Sequence, residues 1–136
     1  MKPERVDLRG VARVEELVDR VLATRLREVR ALTAGLERRD NAGLHDFRIA
    51  CKRLRYAIER FAAVDSSLEA IGERLALLQD ALGEAHDRDV LLAILPPSMP
   101  ATERRLRTDR AECVERAVAL WQDAEQRMRA FDSHRN

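Results

Sequence analysis

Histidine, arginine and lysine recur with helical spacing in residues 44–61, LHDFRIACKRLRYAIERF. At about 100° per residue, His45, Arg48, Lys52 and Arg55 share one stripe along a helix. Phe47, Cys51, Leu54, Ile58 and Phe61 form an apolar stripe beside it. Guanidinium groups offer forked donors and an ammonium offers a point charge. A row of them one turn apart can therefore hold successive anionic groups of a linear polyanion. Arg53 and Arg60 point toward the opposite flank, with Ile49 and Tyr56. The competing expectation is a solvated face that pairs with an acidic neighbouring helix.

His86, Asp87 and Asp89 form the second candidate group. With His45 they offer two imidazoles and two carboxylates, a donor set a transition metal could use and a metal-dependent phosphohydrolase would need. Histidine–aspartate spacing of this kind is common, however, and there is no HExxH. The group is expected to be structural or part of the anion surface, and no metal site is assigned. His134 lies in the C-terminal tail and is given no role.

Nucleophilic catalysis finds little support. Ser66, Ser67, Ser98 and Ser133 all fall in linkers or the tail, outside any GxSxG elbow. There is no glycine-rich phosphate loop. No catalytic residue, no enzymatic activity and no cofactor are expected. Tyr56 and Trp121 are read as packing residues, since stacking of single-stranded bases needs more aromatic surface than this chain offers. Arg104, Arg105, Arg107 and Arg110 open the last helix as a solvated face, with an auxiliary anion contact as the alternative.

These side chains must be positioned by helices. Charged residues make up 36% of the chain, with 5 glycines, 4 prolines and 4% aromatics, a composition that points to an all-α protein. A first helix is expected from about Val11 to Arg39, where Val14, Leu17, Val18, Val21, Leu22, Val29, Leu32 and Leu36 recur at helical steps. A turn follows, with Asp40 or Asn41 as the cap of the basic helix, which runs to about Val64. Asp65-Ser66-Ser67 makes the next connection. The third helix carries Leu68, Ile71, Leu75, Leu78 and Leu82, with a kink or break expected near Gly83. Pro96-Pro97 ends it. The last helix is placed from about Thr102 to Phe131. The expected architecture is an antiparallel four-helix bundle of long helices: a single domain over 1–136, with an ordered core at about 8–131 and a frayed tail at 132–136.

The net charge is only +1, so the chain as a whole is no general nucleic-acid adhesive. Its distribution is uneven. From His45 to Arg60 five basic residues face two acids, and from Glu69 to Asp89 six acids face two arginines. Cys51 and Cys113 stand outside any CxxC pattern, and Cys51 is expected as a small buried thiol in a reducing compartment. No secretory signal or membrane span is visible, the apolar run at Leu91 to Leu95 being far short of a spanning length. A soluble, cytoplasmic protein without a membrane partner is expected.

The run Leu44-His45-x-x-Arg48-x-x-x-Lys52-Arg53-Leu54-Arg55-Tyr56 is followed by Leu78-Gln79-x-x-Leu82-Gly83-x-x-His86-Asp87-x-Asp89-Val90. Together they resemble the CHAD domain (conserved histidine α-helical domain), over the whole helical part of the chain. The resemblance implies a helical bundle that binds inorganic polyphosphate through a basic surface and associates with polyphosphate granules. On that likeness His45, Arg48, Lys52, Arg53, Arg55 and His86 are the expected polyphosphate-binding residues. Members usually carry two such units in tandem with the anion surface shared between them. This chain holds one, closer to the C-terminal unit by its LRYA and LGEAHD, so a two-fold homodimer is expected. The alternative classes are the phosphohydrolase above and a module that docks protein or RNA.

Overall fold

The computed structural model describes residues 2–135, with side chains through residue 133. Its elements are α1 (Val14–Ala31), α2 (Thr33–Arg38), α3 (Asn41–Ala62), a 3₁₀ turn (Ser66–Leu68), α4 (Glu69–Ile94) and α5 (Pro100–Arg135). The fold is all-α, and no strand occurs among the described residues. The four long helices pack in chain order: α1 on α3, α3 on α4, and α4 on α5 along the most extensive interface. Between α1 and α5 an ion pair, Arg30 Nε to Glu125 Oε1 at 3.4 Å, spans a groove lined by Leu22, Leu26, Met128 and Phe131.

The apolar stripe of α3 is the centre of the core. Phe47, Cys51, Leu54 and Ile58 are all at most 1% exposed, against Leu75 and Leu78 of α4 and Val114 of α5. Phe47 meets Trp121 edge to face, with centroids 5.6 Å apart and planes at 88°. Each such large apolar side chain contributes about 1.5–3 kcal/mol by leaving water. Burial also pushes the Cys51 thiol far above its ordinary range, and Cys113 is likewise buried and free.

Three expectations about the helices change. The first helix is two: α1 stops at Ala31, Leu32 sits at φ −109 and ψ 5, and α2 resumes at Thr33. The cause is tertiary. Gly35 of α2 lies backbone to backbone on Gly43 of α3, and a Cβ on Gly35 would stand 2.7 Å from the Gly43 Cα. That approach fixes where α2 must point. Second, α4 does not break at Gly83 but runs unbroken from Glu69 to Ile94, because Gly83 serves a contact with α3 described below. Third, α5 extends past Phe131 to Arg135. The His134 side chain lies outside the described residues.

Helix α3 begins as expected. Asp40 is its N-cap, its Oδ1 accepting from the Gly43 N–H at 2.5 Å. Arg39, just before it, has φ 62, a left-handed conformation that costs a non-glycine residue roughly 1–2 kcal/mol. It is pinned from α5: Arg110 Nη2 donates to the Arg39 carbonyl at 2.7 Å, and Glu115 pairs with the Arg39 guanidinium.

Candidate functional site

Helix α3 carries His45, Arg48, Lys52 and Arg55 along one side, and α4 runs antiparallel beside it. Two contacts set the register. A Cβ on Gly83 would stand 3.3 Å from Arg48 Nη2, and one on Gly72 would stand 3.5 Å from Ile58 Cγ2. His86 is thereby brought level with His45, and Gln79 level with Lys52. His45, Arg48, His86 and Asp89 line one cleft between the two helices, with Asn41 at its end. The two sequence motifs thus meet side by side.

Arg48 is half-buried, and its Nε is shielded from solvent with no hydrogen-bond partner. Among the described residues neither Arg48 nor Lys52 has a carboxylate within ion-pair distance. Lys52 is exposed, its Nζ 5.7 Å from the centroid of the Tyr56 ring, and the Arg55 Cζ lies 5.1 Å from the same ring. Tyr56 is therefore no packing residue on the opposite flank. It is 45% exposed and stands between the two cations, as its four-residue step from Lys52 requires. Arg55 Nε lies 3.2 Å from Glu59 Oε1 on its own helix, so Glu59 closes the far end of the track.

The alternative, a pairing of basic α3 with acidic α4, does not occur at this stripe among the described residues. Two of the α4 carboxylates are taken from the other side by α5: Arg116 reaches Glu84 at 2.9 Å and Arg110 reaches Asp89 at 2.5 Å. Arg74 of α4 in turn holds Asp123 of α5 at 2.8 Å. With Asp89 and Glu84 engaged by α5, Arg48 and Lys52 of α3 stay available to another partner.

Two candidate residues are engaged elsewhere in the fold. Arg53 turns toward α1, its Nη1 4.0 Å from Oε2 of Glu28, a carboxylate only 8% exposed that also binds Arg25 and the Glu4 N–H. Arg53 belongs to the fold at the α1–α3 seam. Asp89 is engaged by Arg110, which also donates to Asn41 Oδ1 at 3.1 Å. Arg110 is consequently no solvated residue; its side chain is 19% exposed, and it ties α5 to both α3 and α4. Asp87 is exposed outside the cleft. Among the described residues no three His, Cys, Asp or Glu side chains gather as a metal-binding group.

Gln79 was not among the residues singled out. Its Oε1 is buried without a hydrogen-bond partner, an acceptor at the height of Lys52. Its place beside Leu78 in the second motif was the available signal.

A family model for the CHAD domain matches residues 3–96. The chain belongs to the CHAD family. This family is known in polyphosphate-binding contexts. The match ends just past α4, so α5 of this CHAD chain lies outside it, and the likeness is shorter than the helical part of the chain. No curated protein and no solved structure matches. Among the described residues no helix is long and apolar enough to cross a membrane.

Proposed function

We propose that this CHAD chain binds inorganic polyphosphate through the α3 track, without catalysing its turnover. His45, Arg48, Lys52 and Arg55 are the contacts from α3, and His86 is the contact from α4. One observation carries the reading: Arg48 is held half-buried over Gly83 with a donor that finds no acceptor in the protein. A buried unpaired donor is costly, the more so on a charged group. An anionic oxygen at the cleft removes that cost and gains a charge-assisted hydrogen bond.

A linear polyphosphate suits the track better than a compact anion. Arg48, Lys52 and Arg55 are spread over seven residues of helix, about 10 Å at 1.5 Å per residue. Tyr56 stiffens Lys52 and Arg55 from one side, which limits the side-chain entropy lost on binding. Association with polyphosphate granules in the cytoplasm follows from the same reading.

Competition at physiological salt tests it. Polyphosphate is expected to displace RNA from the chain, and RNA to displace polyphosphate poorly. Equal competition would favour a nucleic-acid module. Release of phosphate that depends on an added metal ion would favour a hydrolase.

A further inference from the structure

Of the 25 lysines and arginines in the chain only two are lysines, Lys2 and Lys52. The rest are arginines, whose guanidinium keeps its proton and has no lone pair to attack with. The one lysine among the helices stands in the cationic track, between Arg48 and Arg55. Lys52 is exposed, and its neighbours three and four residues away are Arg48, Ile49, Arg55 and Tyr56, with no acid among them. Its Nζ stands 5.7 Å from the centroid of the Tyr56 ring. No carboxylate lies within ion-pair distance of it among the described residues, and Gln79, the α4 residue at its level, is neutral. For electrostatics alone an arginine would serve as well here, since its fork fits phosphate. What a lysine adds is a nucleophilic amine.

Along the helix axis Arg48 lies about 6 Å before Lys52 and Arg55 about 4.5 Å beyond it, at 1.5 Å per residue. Arg48 is half-buried, and its Nε is shielded without a partner. A phosphoryl group held by these arginines brings whatever it carries against the amine. We propose that Lys52 is an acylation site whose acyl donor is a small acyl phosphate held by the track itself. In such a donor a single oxygen joins the phosphorus to the acyl carbon. With the phosphoryl oxygens on Arg48 and Arg55, that carbon comes within reach of Lys52 Nζ.

The unprotonated amine attacks the acyl carbon and a C–N bond forms. The C–O bond to the phosphoryl group breaks, its electron pair goes to the leaving phosphate, and that phosphate takes up the amine's proton. Nothing is oxidised or reduced. The product is a neutral amide, so the track loses one positive charge. Acylation and polyphosphate then exclude each other: the bound polyanion occupies the same arginines and covers the amine, and the amide weakens the hold on the polyanion. This coupling rests on the polyphosphate reading, whereas the acylation needs only that the track holds a phosphoryl group.

Treatment of the full chain with acetyl phosphate at low salt and mildly alkaline pH tests it, with acetylation at each lysine followed by mass spectrometry. Lys2, exposed and outside the track, is the internal reference. Lys52 is expected to react at least about fivefold faster than Lys2. The preference should vanish in Arg48→Ala/Arg55→Ala, whose folding circular dichroism verifies, and when polyphosphate is added in excess. The acetyl ester of N-hydroxysuccinimide carries no phosphate, and its reaction should not depend on the two arginines. Equal rates at the two lysines with acetyl phosphate overturn the acylation site, and leave the binding reading intact where polyphosphate still binds the unmodified chain. A preference that survives loss of both arginines, or is as strong with the ester, is ordinary exposure and also overturns it. Arginine-dependent acetylation that polyphosphate does not block supports the acylation site and contradicts the polyphosphate reading. For the coupling, acetylated wild type should bind polyphosphate several-fold more weakly, with a salt slope shallower by about one. Lys52→Arg treated in the same way should lose no affinity, and equal losses in the two contradict the coupling.

Discussion

Arg48 of α3 lies over Gly83 of α4, its Nη2 3.3 Å from where a Cβ would stand. The glycine does not break its helix; it leaves room for a guanidinium. Gly83→Ala should therefore separate stability from binding. Alanine favours an uninterrupted helix by about 1 kcal/mol, and the flexible end of Arg48 can move aside by a few tenths of an ångström. The variant is expected to melt no lower than the wild type while binding polyphosphate several-fold more weakly. Unchanged affinity would mean that the Arg48 position is not set by this contact.

Arg110 ties three segments through Asp89, Asn41 and the Arg39 carbonyl. Its side chain is 19% exposed and that of Asp89 is 14% exposed. Arg110→Ala leaves a shielded carboxylate unpaired and releases a left-handed residue from its anchor. A loss of about 2–3 kcal/mol is expected in urea unfolding. A loss under about 0.5 kcal/mol would return Arg110 to the solvated face.

Arg53 matches the family motif yet faces Glu28. Arg53→Ala should lower stability by about 1 kcal/mol, since Glu28 keeps Arg25 as a partner. Polyphosphate affinity should change less than for Arg48→Ala. The reverse ranking would put Arg53 in contact with ligand.

The Asp40 carboxyl is held below the ordinary range, first by the Gly43 N–H and then by Arg38. A carboxylate whose folded value is depressed adds stability above its unfolded value, and loses it as pH falls through the folded one. Asp40→Asn keeps a capping oxygen but cannot titrate. Its deficit in Tm against the wild type should be present at neutral pH and shrink below roughly pH 4. A deficit that stays constant into acid would assign the effect to shape instead of charge.

Periodicity made the long helices legible, because each buries one apolar stripe, as α3 does with Phe47, Cys51, Leu54 and Ile58. The break at Leu32 was not legible: Val29, Leu32 and Leu36 keep helical spacing across it, and its cause is the meeting of Gly35 with Gly43. Gly83 read as a breaker because an isolated glycine gives no sign of what lies across from it. The position of Tyr56 beside Lys52 was available from the four-residue step and was missed. Arg110 was misread because its partners lie 21, 69 and 71 residues away. The spacing of the track was plain in the sequence. Its freedom from the acids of α4 was not, since that depends on Arg110 and Arg116 of α5 claiming Asp89 and Glu84.

Titration of polyphosphate across a salt series tests the cationic track most directly. It compares the wild type with Arg48→Ala/Lys52→Ala/Arg55→Ala and with a control, Arg13→Ala/Arg38→Ala/Arg129→Ala, whose arginines are exposed and ion-paired. Wild-type affinity should fall steeply with salt as counterions are released. The track variant should lose at least about a hundredfold, with a salt slope shallower by about two. The control should stay within about threefold. Equal losses in the two variants would contradict the account.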